Sequence, residues 1–322
     1  EIHERLVGSE MCIRDSSETL CSYHKTFIGA AEKGLLPKPK CIVYTNLACD
    51  ANLLTFHRLA EFYHVPVFSI DVPSRQTASN VAYVAAQLRA LKRFLEQTTG
   101  RLIDEDLLAE RVARGRETLE EFEKFQSARA DRFIPSDLVS PLYSGMTNNI
   151  LLGTEEEKLY TEKLLKDIKN APPKKGKHIY WMHTIPFWSD AVKEALLLND
   201  SAQIVGCELS QVADLSVHSE DPYEEMAMRL VYHALNGPIS RRIEAGIHHA
   251  KQAGADGAVW FNHWGCKHTL GGSRIAKKRF EEAGIPMLIL DGDGCDRSHG
   301  GEGQTSTRLG AFLEMLGDFD HE

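Results

Sequence analysis

The sequence predicts an α/β protein: two Rossmann/flavodoxin-like parallel-sheet domains with additional helices. Short apolar runs of strand length alternate with longer segments whose apolar residues recur at steps of three and four, as helices laid over parallel sheets require. A Pro- and Lys-rich stretch at 171–177 (APPKKGK) interrupts the alternation, and the pattern then restarts. At 322 residues the chain is long enough for two cores.

In chain order, 40–45 (KCIVYT) and 65–70 (VPVFSI) read as strands, with a helix at 50–63 between them. Segments 80–97 and 105–128 are long amphipathic helices, rich in Ala, Leu, Glu and Arg. The pattern loosens over 135–154, and 155–168 is helical again. After the linker, 178–182, 203–207, 257–262 and 286–290 read as strands, with helices near 188–198, 223–235, 240–253, 270–282 and 305–316. The expected organisation is an N-terminal α/β domain at 17–135, a helical connector and linker at 136–176, and a C-terminal α/β domain at 177–322. The run at 9–16 (SEMCIRDS) resembles the conceptual translation of a transposon-end sequencing adaptor, the alternative being a natural helical leader. Residues 1–16 are therefore expected to be a non-native leader in place of the protein's own N-terminal segment, and Cys12 is set aside with them.

Charge and cysteine usage narrow the function classes. The net charge is −9, the sequence pI is near 5.9, and there is no long basic run, so nucleic acid and anionic membranes are poor partners. Apolar runs such as 286–290 are far short of a membrane span. Apart from Cys12, the cysteines are scattered through a chain large enough to bury its own core. That argues against a secreted disulfide framework and for metal binding or catalysis, in the cytoplasm.

In open α/β sheets, ligands sit beyond the carboxyl ends of the strands. Cys49 falls there, in TNLACD after the first strand; Cys266 falls there, in FNHWGCKH; Cys295 falls there, in DGDGCD. Cys21 precedes a predicted helix, in LCSYHK, whereas Cys41 and Cys207 lie within strand runs, where cysteine acts as a small apolar residue. Thiolates at loop apices suit an iron–sulfur cluster. Without a C-x-x-C pair, spacing alone leaves ligand and incidental roles about level.

The stretches LCSYHK, TNLACD, FNHWGCKHTLGGSRIAKK and DGDGCDRSHGGEGQTSTRLGAFLEML together resemble the 2-hydroxyacyl-CoA dehydratase family (D-component), which includes the benzoyl-CoA reductase subunits. The resemblance runs from about residue 21 to 316, and the last stretch is its most specific piece. It implies one [4Fe–4S] cluster per subunit, held by cysteines whose motifs match Cys21, Cys49 and Cys266. Cys295 has no assured place in the pattern; it is open as a further ligand, a neighbouring thiol or a free loop residue. The resemblance also implies a lyase. A separate ATP-hydrolysing iron–sulfur activator delivers one electron, and water leaves an acyl-CoA thioester through a ketyl radical. A homologous second subunit is implied as well. The alternative reading is a related electron-transfer or small-molecule-reducing iron–sulfur protein, of benzoyl-CoA reductase-like or larger-cluster type.

Other features carry weaker signals. Asp291 and Asp293 have the spacing of a Mg²⁺-binding pair, but Cys295 occupies a position where a phosphohydrolase signature wants Thr, so a phosphohydrolase or Zn protein ranks last. The loop 298–304 precedes a helix expected to begin near Thr305. Its Gly301, Gly303 and Gln304 are candidates for contact with a CoA phosphate or the thioester, a plain Gly-rich turn being the alternative. No P-loop and no clean G-x-G-x-x-G is present, so this chain is not expected to hydrolyse ATP or bind NAD. His24, His263 and His299 are candidates for proton transfer or for hydrogen bonds to cluster sulfur, and His268 also lies beside a cysteine motif. Trp264 is read as a shield for the cluster or as an ordinary packed Trp. The Glu- and Arg-rich stretch 101–132 is read as a solvated helix face.

Overall fold

The protein's structure, a computed structural model, describes residues 20–211, 215–297 and 301–318. Residues 1–16, expected to be a non-native leader, lie outside the described residues. The chain is mixed α/β with parallel sheets throughout.

The N-terminal part runs α1 (Ser22–Glu32), β1 (Ile42–Thr45), α2 (Ala51–Tyr63) and β2 (Val67–Ile70). β1 and β2 pair in parallel, from Ile42 opposite Val67 to Thr45 opposite Ile70, with α2 as the crossover that such a pair needs. Ala31, Ile42, Leu59 and Ala60 form the small core between these elements. Two long helices follow, α3 (Ala78–Thr99) and α4 (Glu105–Ala128). The Thr77 hydroxyl caps α3 by accepting from the Asn80 amide, and Gly100, at φ 69°, ends it. Asp104 caps α4 through the Asp106 and Leu107 amides. The face of α4 read as solvated is only partly so: Arg116 reaches the nearly buried Glu225 at 2.9 Å.

The loosened stretch contains a helix, α5 (Ser140–Ile150), before the expected α6 (Glu155–Asn170). Its buried positions include Pro141, Ser144, Gly145 and Asn148, so the inward stripe is small and polar and leaves no apolar period to read. Gly145 is required there, because a Cβ would stand 2.3 Å from the Leu209 carbonyl oxygen.

The C-terminal part runs β3 (Lys177–Met182), α7 (Asp190–Leu196), β4 (Ala202–Cys207), α8 (Pro222–Val231), α9 (Ile239–Gln252), β5 (Gly257–His263), α10 (Lys267–Leu270), α11 (Ser273–Glu282), β6 (Met287–Gly292) and α12 (Glu302–Asp318). Alternate residues of each strand enter different cores. Trp181, Val259 and Phe261 join Val192, Leu309 and Phe312 on one face; Tyr180, Met182 and Trp260 join Ile243, Ala276 and Phe280 on the other. Both faces are covered, which is why these strands read as unbroken apolar runs. The helix expected at 270–282 is two, broken at Gly271 and Gly272; a Cβ on Gly272 would stand 2.6 Å from the Ile239 side chain. The last helix begins at Glu302 rather than Thr305, so Gly303 and Gln304 lie inside its first turn and only Gly301 precedes it. Cys41 sits one residue outside β1 and is half-buried, while Cys207 ends β4 in the core at 1% exposure.

The strand order is β4-β3-β5-β6. The chain leaves β3 for one side and later crosses to the other for β5, which makes the crevice beyond the carboxyl ends of β3 and β5 the topological switch point. α8 packs on α3 through Tyr223, Ala227 and Val231 against Val81, Val84 and Leu88, tying the part after the linker to the part before it. Among the described residues, no helix is long and apolar enough to cross a membrane.

Candidate functional site

Three thiols from distant segments lie near one another around the carboxyl ends of β3 and β5. Cys21 is the residue at the N-terminal cap of α1, Cys49 stands one residue before the cap of α2, and Cys266 occupies the cap of α10 just past β5. Backbone N–H groups at these ends favour negative sulfur: those of Tyr23 and His24 act on Cys21, and those of Ala51 and Asn52 on Cys49. Burial outweighs them and pushes the Cys21 thiol up to about 11, with the charges of Cys266 and Cys49 adding to the rise. Cys49 is raised as well, first by burial, with Cys266 again contributing. Cys21 and Cys49 thus both lie close enough to Cys266 for its charge to act on them.

Each thiol also faces an imidazole. Cys21 Sγ stands 3.0 Å from His263 Nε2, Cys49 Sγ 3.4 Å from His24 Nε2, and Cys266 Sγ 3.8 Å from His183 Nε2. Burial holds all three histidines below the usual range, with the Arg242 charge adding to the fall at His183, so the rings are neutral at pH 7. The His183 and His263 rings stack at 6.0 Å. His183 belongs to no cysteine motif in the sequence, yet it directly follows β3 and the strand-end rule applies to it as it does to Cys266. His299 lies outside the described residues.

The loop after β6 closes the site. Asp293 Oδ1 accepts from the Ser22 hydroxyl at 2.6 Å and from the Cys295 and Asp296 amides at 2.8 Å each. Asp291 accepts from Asn262 at 2.8 Å. The two carboxylates thus serve different partners, one closing a turn and the other tying β5 to β6, as expected of a polar turn rather than a cation pair. Cys295 Sγ faces the Thr26 hydroxyl at 3.2 Å. Gly294 gives its carbonyl to the Tyr23 hydroxyl and the Trp188 Nε1–H, both at 3.0 Å, and its amide to His263 Nδ1, also at 3.0 Å. Trp264, read as shield or packed residue, is 43% exposed and is not a core residue.

Beneath the site lies a buried ion pair that the sequence did not reveal. Glu208, in the turn after β4, accepts from Arg242 of α9 and from the His183 amide at 2.9 Å. Arg242 in turn donates to the His268 carbonyl, two residues past Cys266. Among the described residues, no group of three or more His, Cys, Asp and Glu side chains could hold a metal ion as it stands.

Residues 9–316 match a family model described as 2-hydroxyglutaryl-CoA dehydratase, D-component. The chain is 23% identical to the (R)-phenyllactyl-CoA dehydratase alpha subunit of Clostridium sporogenes over 334 aligned positions, covering 96% of this chain and 81% of that protein. It is also 23% identical to the alpha subunit of (R)-2-hydroxyglutaryl-CoA dehydratase from Acidaminococcus fermentans over 303 positions, 87% of this chain. The chain spans 61% of the length of that second relative.

Proposed function

The chain belongs to the 2-hydroxyglutaryl-CoA dehydratase D-component family, and from that membership we propose that it is the iron–sulfur subunit of a radical 2-hydroxyacyl-CoA dehydratase-type lyase. The observation that carries the reading is the nearness of Cys21, Cys49 and Cys266 to one another, each beside an imidazole. The donor set fits a [4Fe–4S] cluster: soft thiols, neutral rings and backbone N–H groups suit iron and sulfide better than a hard cation. Cys21, Cys49 and Cys266 would hold it. When bound, such a cluster supplies single low-potential electrons, which a 2-hydroxyacyl thioester needs to lose water through a ketyl radical.

The chain's own residues have separate tasks. To His24, half-buried beside Cys49, we assign the transfer of a proton to the departing hydroxyl. Gly301, Gly303 and Gln304 are the proposed contact for the acyl-CoA, exposed at the start of α12. Glu302, the acid of that turn, directs its carboxylate to the Ser189 hydroxyl and the Ala191 amide of α7, 2.9 Å from each.

A homologous second subunit and a separate ATP-hydrolysing iron–sulfur activator complete the proposed system; both named relatives are alpha subunits, which supports a partner. The test is anaerobic reconstitution of the full-length protein with its partner subunit, followed by iron and sulfide counts and EPR. About four irons and four sulfides per chain are expected, and a folded complex that takes up no iron and sulfide sinks the reading.

A further inference from the structure

We infer that His263 is a fixed hydrogen-bond donor to the Cys21 sulfur and not a proton relay, an assignment that rests on the iron–sulfur reading above. The Gly294 N–H points at His263 Nδ1 from 3.0 Å. Only an unprotonated ring nitrogen accepts, so the ring carries its proton on Nε2. That nitrogen stands 3.0 Å from Cys21 Sγ. The proton therefore lies between ring and sulfur.

Asp293 does not offer an alternative. Its Oδ1 is 3.8 Å from His263 Nδ1, beyond a hydrogen bond, and already accepts from Ser22, Cys295 and Asp296. Its role is to fold the loop that presents the Gly294 amide. Gly294 is fixed in turn by Tyr23 and Trp188 on its carbonyl. A relay needs one ring nitrogen to take up a proton while the other releases one, and a backbone amide facing Nδ1 can do neither exchange. His183 differs: its Nδ1 is 3.2 Å from the Thr184 hydroxyl, which can donate or accept, so its tautomer is left open.

An N–H aimed at a ligand sulfur stabilises negative charge there, and a cluster gains negative charge on reduction. His263 is thus a positioning residue that favours the reduced state. Two measurements test it. In the metal-free chain, nitrogen NMR of selectively labelled histidines, with His263 assigned by its disappearance in His263→Gln, should show the Nε2–H tautomer; an Nδ1–H ring or rapid exchange between the two overturns the inference without touching the iron–sulfur reading. In the reconstituted complex, His263→Leu should lower the midpoint potential by about 59 mV or more, a tenfold change in a one-electron equilibrium. His263→Gln, which keeps an N–H donor, should stay nearer the parent. A loaded His263→Leu complex with unchanged potential overturns the inference. A parent complex that takes up no iron overturns the proposed function, and the NMR result then decides the donor by itself.

Discussion

Arg242 and Glu208 form a two-pronged ion pair with each side chain 2% exposed, Nη2 standing 2.6 Å from Oε2. The guanidinium also lies over the Trp260 ring at 4.7 Å and holds the His268 carbonyl, while the carboxylate holds the His183 amide. One pair therefore joins the ends of β3 and β4, helix α9 and the segment that follows Cys266. A buried pair gains little over apolar packing, but losing one partner strands the other's charge. Arg242→Met should cost about 3–5 kcal/mol, read as a lower urea midpoint. Arg242→Lys should recover little, because an ammonium cannot fork to both oxygens. Combining Arg242→Met with Glu208→Leu should be less damaging than Arg242→Met alone.

Gly294 should not tolerate a side chain. A Cβ there would stand 2.6 Å from the Tyr23 hydroxyl and 2.9 Å from the Thr184 hydroxyl. Gly294→Ala should therefore push the loop away from α1, at about 1–3 kcal/mol for overpacking. The displaced amide would release His263, and Cys21 would become more open to solvent. Labelling of the metal-free chain with a thiol reagent, followed site by site by mass spectrometry, should show faster modification at Cys21. An unchanged rate at Cys21 would contradict the close packing of Gly294 against Tyr23 and Thr184.

The sequence displayed the scaffold better than the pairings across it. Helix α4 was legible because Asp104 caps it and its apolar residues keep a helical step; α5 was not, because Ser144, Gly145 and Asn148 are what it buries. Cys49 and Cys266 could be placed from the strands before them, since strand ends are where an α/β sheet opens to ligands. His183 obeys the same rule, but no cysteine beside it marks it in the sequence. What no local pattern could reveal is which imidazole meets which thiol. Cys21 and His263 are 242 positions apart, and Glu208 and Arg242 are 34 apart, so both pairings arise only when the sheet order is fixed.

Acid should lower the stability of the fold, in part through two histidines of the C-terminal part. Burial pushes His178, fully buried at the start of β3, down to about 4; Lys174 adds to the fall and Asp256 opposes it. Burial likewise takes His249 in α9 down to about 4, with Gln252 opposing. Both folded values lie below the ordinary histidine value, so the unfolded chain binds more protons between about pH 6.5 and 4. Stability is then complete above about 6.5 and declines as pH falls toward 4. Urea midpoints taken at intervals across that window should decrease, and the slope should flatten in a His178→Gln, His249→Gln double variant. A slope identical in parent and variant would assign the acid sensitivity to other groups.

Cysteine chemistry should separate the thiols by place in the fold. Cys207 is 1% exposed, its Sγ rests 3.4 Å from the His183 carbonyl, and burial pushes it up to about 12. It should resist alkylation in the folded chain and react only in denaturant. Cys207→Ala should cost about 0.5–1.5 kcal/mol, the scale for deleting one buried heavy atom, and should leave iron uptake intact; Cys41→Ala should also leave it intact. Cys21→Ala, Cys49→Ala and Cys266→Ala should each lose most of the iron while keeping the urea midpoint of the metal-free chain close to the parent's, since all three thiols are half-buried at helix ends rather than packed in a core. Cys295→Ala is the informative addition. Facing Thr26 from the loop after β6, it should retain the iron and leave the spectrum unchanged if three thiolates make the set. Loss of iron on removing Cys295 would instead extend the ligand set to four.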